Sequence, residues 1–248
     1  YNVQSDWDAT SGSSEILNKP AVVDGANISE LQKLDEGNGS GWRLLGANPA
    51  KFGNIGELAV DFSLSDTQDS TTRGATGKAA FATGYETIAA GEYSFATGYS
   101  TSALGYSSHA EGSLTVAHGV VSHAEGRGSS TRNDAFAAHA EGQDTAANAL
   151  AAHAEGRDTV AQNEASHAAG IWNIGTSSDT IHETGIGADA ANKANAFEIY
   201  TDGTLTAPES TVLSIESRGD KAVATVEYVL SLIHIFRAHE TPEHLVCR

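Results

Sequence analysis

Residues 108–126 decide the fold; they run Ser108-His-Ala-Glu-Gly-Ser-Leu-Thr-Val-Ala-His-Gly-Val-Val-Ser-His-Ala-Glu-Gly126. The motif x-Ala-x-Gly occurs three times in this stretch, at a spacing of seven residues. The spacing continues to both sides, since Gly occurs eight times from Gly77 to Gly126 and Ala stands two residues before each. After a two-residue insertion around Arg132 to Asp134, the pattern resumes and runs to Gly170.

A second period of 14 residues overlies the first, because alternate copies of the motif are more alike than neighbouring copies. One half-repeat is Phe-Ala-Thr-Gly at Phe81 and Phe95, and it becomes His-Ala-Glu-Gly at residues 109, 123, 139 and 153. It ends as His-Ala-Ala-Gly at His167. The predicted structural unit therefore has 14 residues in two unequal halves.

A seven-residue period is also typical of coiled coils. Gly inside a helix costs about 1 kcal/mol relative to Ala, however, so a run of such glycines makes a helix unfavourable. The pattern instead predicts an all-β parallel β-solenoid, or β-roll, with two short strands and two tight turns per coil. Seven such coils at ~4.8 Å each would form a rod roughly 33 Å long.

The small residues of the motif have two predicted roles. Strand alternation places each Ala inside the roll and its neighbours outside, and Gly supplies backbone freedom at each corner. The predicted roll-lining residues are Ala82, Ala89, Ala96, Ala103, Ala110, Ala117, Ala124, Ala140, Ala154 and Ala168. The predicted corner glycines are Gly77, Gly84, Gly91, Gly98, Gly105, Gly112, Gly119, Gly126, Gly142, Gly156 and Gly170.

The composition agrees with a narrow roll. Leu, Ile, Val and Phe make up only 19% of the 248 residues and the net charge is −18, values otherwise typical of disorder. A roll lined by Ala needs few large apolar residues, but it buries little surface alone, so we expect self-association. The excess of acidic residues makes a nucleic-acid partner unfavourable. No apolar run approaches the ~20 residues of a membrane-spanning helix, so membrane insertion is not expected.

Two further features of the composition predict a piece of a longer chain. The sequence has no Met, and its one Cys, Cys247, cannot form an internal disulfide. Its first residues lack the pattern of a signal peptide.

The run from Ser94-Phe-Ala-Thr-Gly98 to Ser166-His-Ala-Ala-Gly170 resembles the head repeats of trimeric autotransporter adhesins. The Ser-His-Ala-Glu-Gly form at Ser108 and Ser122 is similar to the version in phage tail-fibre and prophage appendage proteins. The resemblance covers about residues 73–171 and implies a left-handed parallel β-roll in an intertwined homotrimer.

The same resemblance implies a structural and adhesive segment of a trimeric fibre. It favours a phage tail fibre that mediates host attachment, located in the virion tail, with a host-cell receptor or glycan as partner. The alternatives are a bacterial surface adhesin and a non-catalytic stalk that carries an enzyme domain beyond the C-terminus.

The remaining segments are assigned by their resemblance to fibre modules and by their composition. Residues 1–40 resemble a tail-fibre linker module, 41–72 are expected to cap the roll, and 73–171 form it. Residues 172–206 resemble a transition module with a hairpin at Asp202-Gly203, after a stretch at Ile171 to Gly175 that is expected to close the roll. Residues 207–229 are expected to begin a further trimeric segment with a short helix. Residues 230–248 resemble a translated sequencing adapter and are interpreted as non-native.

Outward-facing His and Glu should form parallel columns, because residues i and i+2 share a face of a strand and equivalent residues stack one coil apart. A His/Glu array could bind a divalent metal, but a ladder of hydrogen bonds and ion pairs at a subunit interface is favoured, so no metal site or cofactor is predicted. The predicted interface ladder is Phe81, Phe95, His109, Glu111, His123, Glu125, His139, Glu141, His153, Glu155 and His167.

Thr87, Thr101, Thr115, Thr145 and Thr159 form another column. A regular Thr column on a flat solenoid could bind ice, although the β-propensity of Thr is the favoured explanation. Arg218-Gly-Asp220 is interpreted as a turn. No nucleophile elbow, phosphate loop or calcium repeat occurs, so no catalytic residue is predicted and the chain is interpreted as a non-enzyme.

Overall fold

A computed structural model describes residues 27–28, 31–175 and 178–208 of the chain. The segments 1–26, 209–229 and 230–248, with the predicted C-terminal helix, lie outside the described residues. A 3₁₀ helix spans Pro49–Lys51, and within the described ranges no helix is long and apolar enough to cross a membrane. The strands are β1 (Asn27–Ile28), β2 (Leu31–Asp35), β3 (Ser40–Leu44), β4 (Val60–Leu64), β5 (Gly74–Ala75), β6 (Phe81–Tyr85), β7 (Ile88–Ala89), β8 (Phe95–Tyr99), β9 (Ser102–Ala103), β10 (His109–Ser113), β11 (Val116–Ala117), β12 (His123–Arg127), β13 (Ser130–Thr131), β14 (His139–Gln143), β15 (Ala146–Ala147), β16 (His153–Arg157), β17 (Val160–Ala161), β18 (His167–Ile171), β19 (Thr180–Ile186), β20 (Asn195–Tyr200) and β21 (Leu205–Thr206).

The strands form two sheets, which we call the long sheet and the short sheet. The long sheet has 14 strands in the order β1-β2-β3-β4-β6-β8-β10-β12-β14-β16-β18-β19-β20-β21, and the short sheet has seven, from β5 to β17 by odd numbers. From β3 to β19 the neighbours in the long sheet are parallel, one strand per coil. The predicted β-solenoid of 14-residue coils is confirmed, with about 10 coils instead of seven.

Residues that pair between neighbouring strands of the long sheet are one repeat length apart in the sequence. Phe81 pairs with Phe95, and His109 pairs with His123, each 14 residues apart. The insertion after β13 forms a turn in which the Ala135 N–H donates to the Arg132 carbonyl at 3.1 Å. His123 therefore still pairs with His139, and the columns continue across the insertion.

Small side chains fill the interior of the roll. The ten predicted roll-lining alanines are 0–2% exposed, and the five Thr residues of the regular column are 0–1% exposed. The ice-binding alternative is therefore wrong, because these Thr side chains face the interior and do not meet solvent. Their inward position, rather than β-propensity alone, explains why the column is regular.

The glycines of the motif fall into two groups. Gly84 and its equivalents at 98, 112, 126, 142, 156 and 170 have φ of +93° to +116° and lie inside long-sheet strands. Gly91 and its equivalents at 77, 105 and 119 do not have positive φ, and each begins a turn by accepting the N–H of the residue three positions on. A Cβ in either group would lie 1.9–2.4 Å from a backbone carbonyl oxygen of the next coil, so close contact between coils requires glycine at both.

The prediction that Gly forms every corner is wrong. Non-glycine residues form most corners, two per coil, in the left-handed conformation; Glu86 has φ of +55° and Tyr93 has φ of +59°. The N–H of Glu86 donates to the Leu64 carbonyl at 2.8 Å, and that of Tyr93 donates to the Lys78 carbonyl at 2.8 Å. These hydrogen bonds between successive corners stabilise a conformation that is unfavourable for an isolated residue.

The predicted cap and closure both prove to be further coils. Residues 41–72 contain β4 and all of β3 except Ser40, and these two strands pair in parallel. At the other end, β19 continues the long sheet beyond the predicted closure near Trp172. Antiparallel strands cover the two ends instead: β2 at β3, and β20 at β19. This covers edges that would otherwise expose unpaired backbone groups. The predicted hairpin is confirmed, since β20 and β21 are antiparallel and Gly203 has φ of +85°.

Buried charged residues terminate the inner alanine column at the N-terminal end. In register, Ala82 pairs with Asp61, and Asp61 pairs with Arg43. The Arg43 Nε donates to Asp61 Oδ2 at 3.2 Å, and its Nη2 donates to the Gly53 carbonyl at 2.7 Å. An Ala side chain fits against Ala in the next coil without any polar partner, so a column of Ala can continue from coil to coil. A buried charged side chain needs specific polar partners, and it therefore ends the column.

A buried glutamate terminates the same column at the other end, where Glu183 pairs with Ala168. Glu183 Oε2 accepts hydrogen bonds from the side chains of Asn173 at 2.7 Å and Asn195 at 3.0 Å, and from the Gly175 N–H at 2.9 Å. Its Oε1 accepts one from the Thr180 hydroxyl at 2.8 Å. Four donors thus satisfy a carboxylate that is only 5% exposed.

Candidate functional site

The outer face of the long sheet carries a continuous column of mostly ring-bearing side chains. Its members occupy equivalent positions in successive coils: Trp42, Val60, Phe81, Phe95, His109, His123, His139, His153, His167 and His182. The predicted stacking is confirmed, and the column extends by one His that sequence analysis missed. The pattern His182-Glu-Thr-Gly185 lacks the inner Ala, but its His and Gly three positions apart are the signal that could have found it.

We call the six His of this column, together with Glu111, Glu125, Glu141 and Glu155, the His/Glu ladder; His118 is not part of it. Neighbouring imidazoles from His109 to His167 have ring centroids 4.5–4.8 Å apart and planes within 3–12° of parallel. Edge contacts end this stack, with Phe95 against His109 at 4.8 Å and His182 against His167 at 5.0 Å.

Each carboxylate lies between two successive imidazoles. Glu111 Oε2 lies 3.8 Å from His109 Nε2, and its Oε1 lies 3.8 Å from His123 Nε2. Glu125 and Glu141 repeat this arrangement at 3.7–4.0 Å, and Glu155 Oε1 lies 3.3 Å from His167 Nε2. These are ion-pair distances for a protonated His, but they exceed hydrogen-bond lengths. The predicted His–Glu hydrogen bonds are therefore wrong. Parallel stacking of the rings holds each Nε2 atom near carboxylate oxygens but not within hydrogen-bond distance of them.

The ladder contains a row of polar atoms without hydrogen-bond partners. The five His side chains from 109 to 167 are 32–39% exposed, yet each Nε2 is buried and makes no hydrogen bond. His182 differs, since its Nε2 lies 3.2 Å from the Thr184 hydroxyl. Buried polar atoms normally have partners. Among the described residues, the other buried side-chain atoms without one are hydroxyls, those of Ser65, Thr87, Ser94, Thr101, Ser108 and Thr145, so the ladder is where unpartnered nitrogen atoms occur.

Burial and like charge set the protonation of the ladder. Burial lowers the pKa of His123 and His153, and their neighbouring imidazoles lower it further. Sharing of a proton with the carboxylates of Glu141 and Glu111 raises the pKa of Glu125 to about 7, and burial adds to this. The hydrogen bond with Glu125 lowers the pKa of Glu141. The imidazoles of His123 and His153 are therefore harder to protonate than an ordinary His.

Glu125→Gln tests the crowding of these carboxylates. Because the pKa of Glu125 is raised in the folded chain, its contribution to stability is present below its usual pKa and is lost as the pH rises through about 7. We expect Gln, which cannot ionise, to raise the midpoint of thermal unfolding by about 2 °C at pH 8 and to leave it nearly unchanged at pH 4.5.

The control for this measurement is Glu164→Gln, an exposed carboxylate outside the ladder. The low pKa values of His123 and His153 act in the opposite direction, since their stabilisation is present above the usual His pKa and is lost as the pH falls. They are common to all variants and cancel in the comparison. Equal shifts at the two pH values would contradict the predicted crowding.

A shallow groove runs beside the carboxylate column. It is lined by Glu125, Glu141 and Glu155 and by the glycines at 126, 142, 156 and 170. The groove exists because glycine leaves the fourth position of each strand without a side chain. A strip of carboxylates and imidazole nitrogens along an open groove can coordinate cations, exchange protons or pair with another surface.

A second surface feature lies at the corners that precede long-sheet strands, and sequence analysis missed it. We call it the apolar corner row: Tyr93, Tyr106, Val120, Val121, Phe136 and Leu150, which are 38–50% exposed. Backbone hydrogen bonds join this corner in one coil to the same corner in the next. The Val121 N–H donates to the Tyr106 carbonyl at 2.8 Å, and the Ala137 N–H donates to the Val120 carbonyl at 2.9 Å. The signal in the sequence was large apolar residues at near-14-residue intervals, shortly before each ladder residue. Tyr93 and Tyr106 contact each other, with ring centroids 5.3 Å apart, and exposed apolar residues that cluster in this way mark an interaction surface.

Comparisons with known proteins found no match, so the function proposed for this chain rests on its sequence and its geometry. No protein-family model matches the chain, and no curated protein or solved structure is significantly similar to it. The adhesin and tail-fibre resemblance accordingly stays a sequence-based prediction.

Proposed function

We propose that this chain is a structural and adhesive segment of a homotrimeric fibre, of the kind that phage tails use for host attachment. The observation that supports this best is the distribution of apolar side chains. The interior of the coils holds mainly Ala, Ser and Thr, whereas the large apolar side chains of the apolar corner row lie outside. A fold that keeps its larger apolar groups on the surface gains stability by covering them.

A second copy of the chain is the proposed cover. Burial of one large aliphatic or aromatic side chain contributes about 1.5–3 kcal/mol, and the row provides six such groups per chain. The row lies at the corners two or three residues before the long-sheet strands that carry the column of rings, so we propose that both belong to the subunit interface. In a closed ring each subunit presents the row to its neighbour, which leaves no row exposed. The sequence resemblance supports three subunits in that ring.

The roll itself supports the mechanical part of the role. Ten parallel strands in the long sheet, at ~4.8 Å per coil, correspond to a rod of roughly 48 Å. Successive coils are hydrogen-bonded along the whole long sheet, and along the short sheet from β5 to β17, so the rod resists bending and can serve as a spacer. The faces turned away from the proposed interface are then available to a receptor or glycan.

The association of the chain tests this proposal. Light scattering during size-exclusion chromatography should give three times the chain mass of 25.6 kDa. Phe136→Lys combined with Leu150→Lys should yield monomers, because both residues belong to the apolar corner row and lysine opposes their burial. Val116→Lys, on the outer face of the short sheet, should stay trimeric. A monomeric wild-type chain, or a trimer that tolerates the row substitutions, would overturn the proposed interface.

A further inference from the structure

We propose that the His/Glu ladder binds divalent transition-metal ions with the ligand preference of Zn²⁺. All proposed ligands come from one chain, so the inference does not depend on the proposed trimer. Three groups have one ligand atom per residue within 4.8 Å of one another: His109, Glu111 and His123; His139, Glu141 and His153; and His153, Glu155 and His167.

The distances between nitrogen and oxygen support an ion between them. The His Nε2 and Glu oxygen atoms of the ladder are 3.3–4.0 Å apart, beyond the ~2.7–3.2 Å of a hydrogen bond. Zinc binds imidazole nitrogen at ~2.0–2.1 Å and carboxylate oxygen at ~2.0–2.2 Å, so two ligands of one ion at a tetrahedral or wider angle lie roughly 3.3–4 Å apart. The spacing of the ladder matches that of two ligands sharing one ion.

The imidazole nitrogens of the ladder are also available to a metal, which binds the lone pair of a neutral imidazole. The Nε2 atoms of the five His from His109 to His167 in the ladder make no hydrogen bond, so none of them loses a partner when it binds an ion. A cation would also relieve the repulsion within the carboxylate column.

The ligand types and the ring geometry define what can bind. Imidazole with carboxylate suits Zn²⁺, Ni²⁺ and Cu²⁺, whereas Mg²⁺ and Ca²⁺ prefer ligands that are all oxygen. Two stacked parallel rings cannot both direct a lone pair to one point, so each ion takes one ring with carboxylate oxygens, or one ring tilts out of the stack. Water completes the coordination. Two of the three groups share His153, so we expect two ions per chain.

The chain itself supplies the variant that tests this. Phe95 pairs with His109, and Thr97 pairs with Glu111, so the neighbouring coil carries Phe and Thr at the ladder positions. Phe81 and Phe95 also stack, at 5.1 Å. The ladder variant combines His109→Phe, Glu111→Thr, His153→Phe and Glu155→Thr, which breaks all three groups and keeps a stacked ring in every coil. His118→Gln, an exposed His outside the ladder, is the matched control.

The measured quantity is the number of Zn²⁺ ions bound per full-length chain after equilibrium dialysis, determined by elemental analysis. The wild type and His118→Gln should each bind about two more ions per chain than the ladder variant. His and Cys residues outside the ladder are common to the wild type and the ladder variant, so the difference between those two proteins reports the ladder alone. Zn²⁺ should also raise the thermal midpoint of the wild type more than that of the ladder variant.

Other outcomes would overturn the proposal. Equal Zn²⁺ binding by the wild type and the ladder variant would show that the ladder holds no ion. An equal loss in His118→Gln would show non-specific binding to surface histidines. Displacement of bound Zn²⁺ by an equal concentration of Mg²⁺ would contradict the proposed mixed nitrogen and oxygen ligands. A cooperative thermal transition of the ladder variant without metal verifies that it folds.

Discussion

Replacement of Gly112 by Ala is expected to lower the free energy of unfolding by about 4 kcal/mol. Gly112 has φ of +101°, and a Cβ there would lie 2.1 Å from the carbonyl oxygen of Gly126 in the next coil. The left-handed side of the backbone map costs about 1–3 kcal/mol for a residue with a side chain, and overpacking adds a similar amount. The carbonyl belongs to the hydrogen-bonded stack of coils, so it has little room to retreat. Chemical denaturation of the full chain measures the loss.

Gly128→Ala is the matched control, because it makes the same chemical change at a corner. Gly128 has φ of +69°, and the equivalent corner residues Ser100 and Leu114 already adopt φ of +50° and +59°. A Cβ at Gly128 would meet the Asp144 carboxylate, a side-chain end that can rotate away. We expect a change within about 1 kcal/mol. Equal losses at Gly112 and Gly128 would refute the view that contact between coils selects the glycines of the repeat.

Arg43→Leu should destabilise the N-terminal coils by about 3–5 kcal/mol. The substitution leaves the Asp61 carboxylate, whose side chain is 0% exposed, without its cation. Asp61 keeps the hydrogen bonds from the backbone N–H and the hydroxyl of Ser63, at 3.0 and 2.5 Å, but these do not neutralise its charge. Faster hydrogen–deuterium exchange in peptides that cover β3 and β4, with a lower thermal midpoint, would report the loss.

The double variant Arg43→Leu with Asp61→Ala separates lost charge compensation from lost packing. Ala82 occupies the position of Asp61 in the next coil, so Ala is already compatible with this column. Removal of both charges should restore most of the stability, because a buried pair contributes little net stability although a single buried charge is costly. A double variant as unstable as Arg43→Leu would mean that the packing of Arg43, and not the unpaired carboxylate, maintains this end of the roll.

The middle of the solenoid was predictable because its information is local. The spacing of Ala110 and Ala124 specifies both which residues face inward and which residues pair, since one coil pairs with its own copy 14 residues on. The same logic placed the His and Glu columns. Prediction failed where the repeat changes its residue types, as at His182 and Glu183. There the inward position is held by a buried glutamate instead of Ala, and its four donors come from different segments of the chain.

The sequence by itself determined the coil length, the inward columns and the composition of the outward face, because a repeat with small inner residues leaves one parallel register that buries them. Only the tertiary structure decided how the ends are sealed, which residues form the corners and how far each imidazole lies from its carboxylates. The ion pair of Arg43 and Asp61 joins residues 18 positions apart, and the corner conformations depend on hydrogen bonds from adjacent coils. The gaps of 3.3–4.0 Å in the ladder result from ring stacking along the whole column. Distances of this kind decide between a hydrogen bond and a metal site, and they exist only once the coils are stacked.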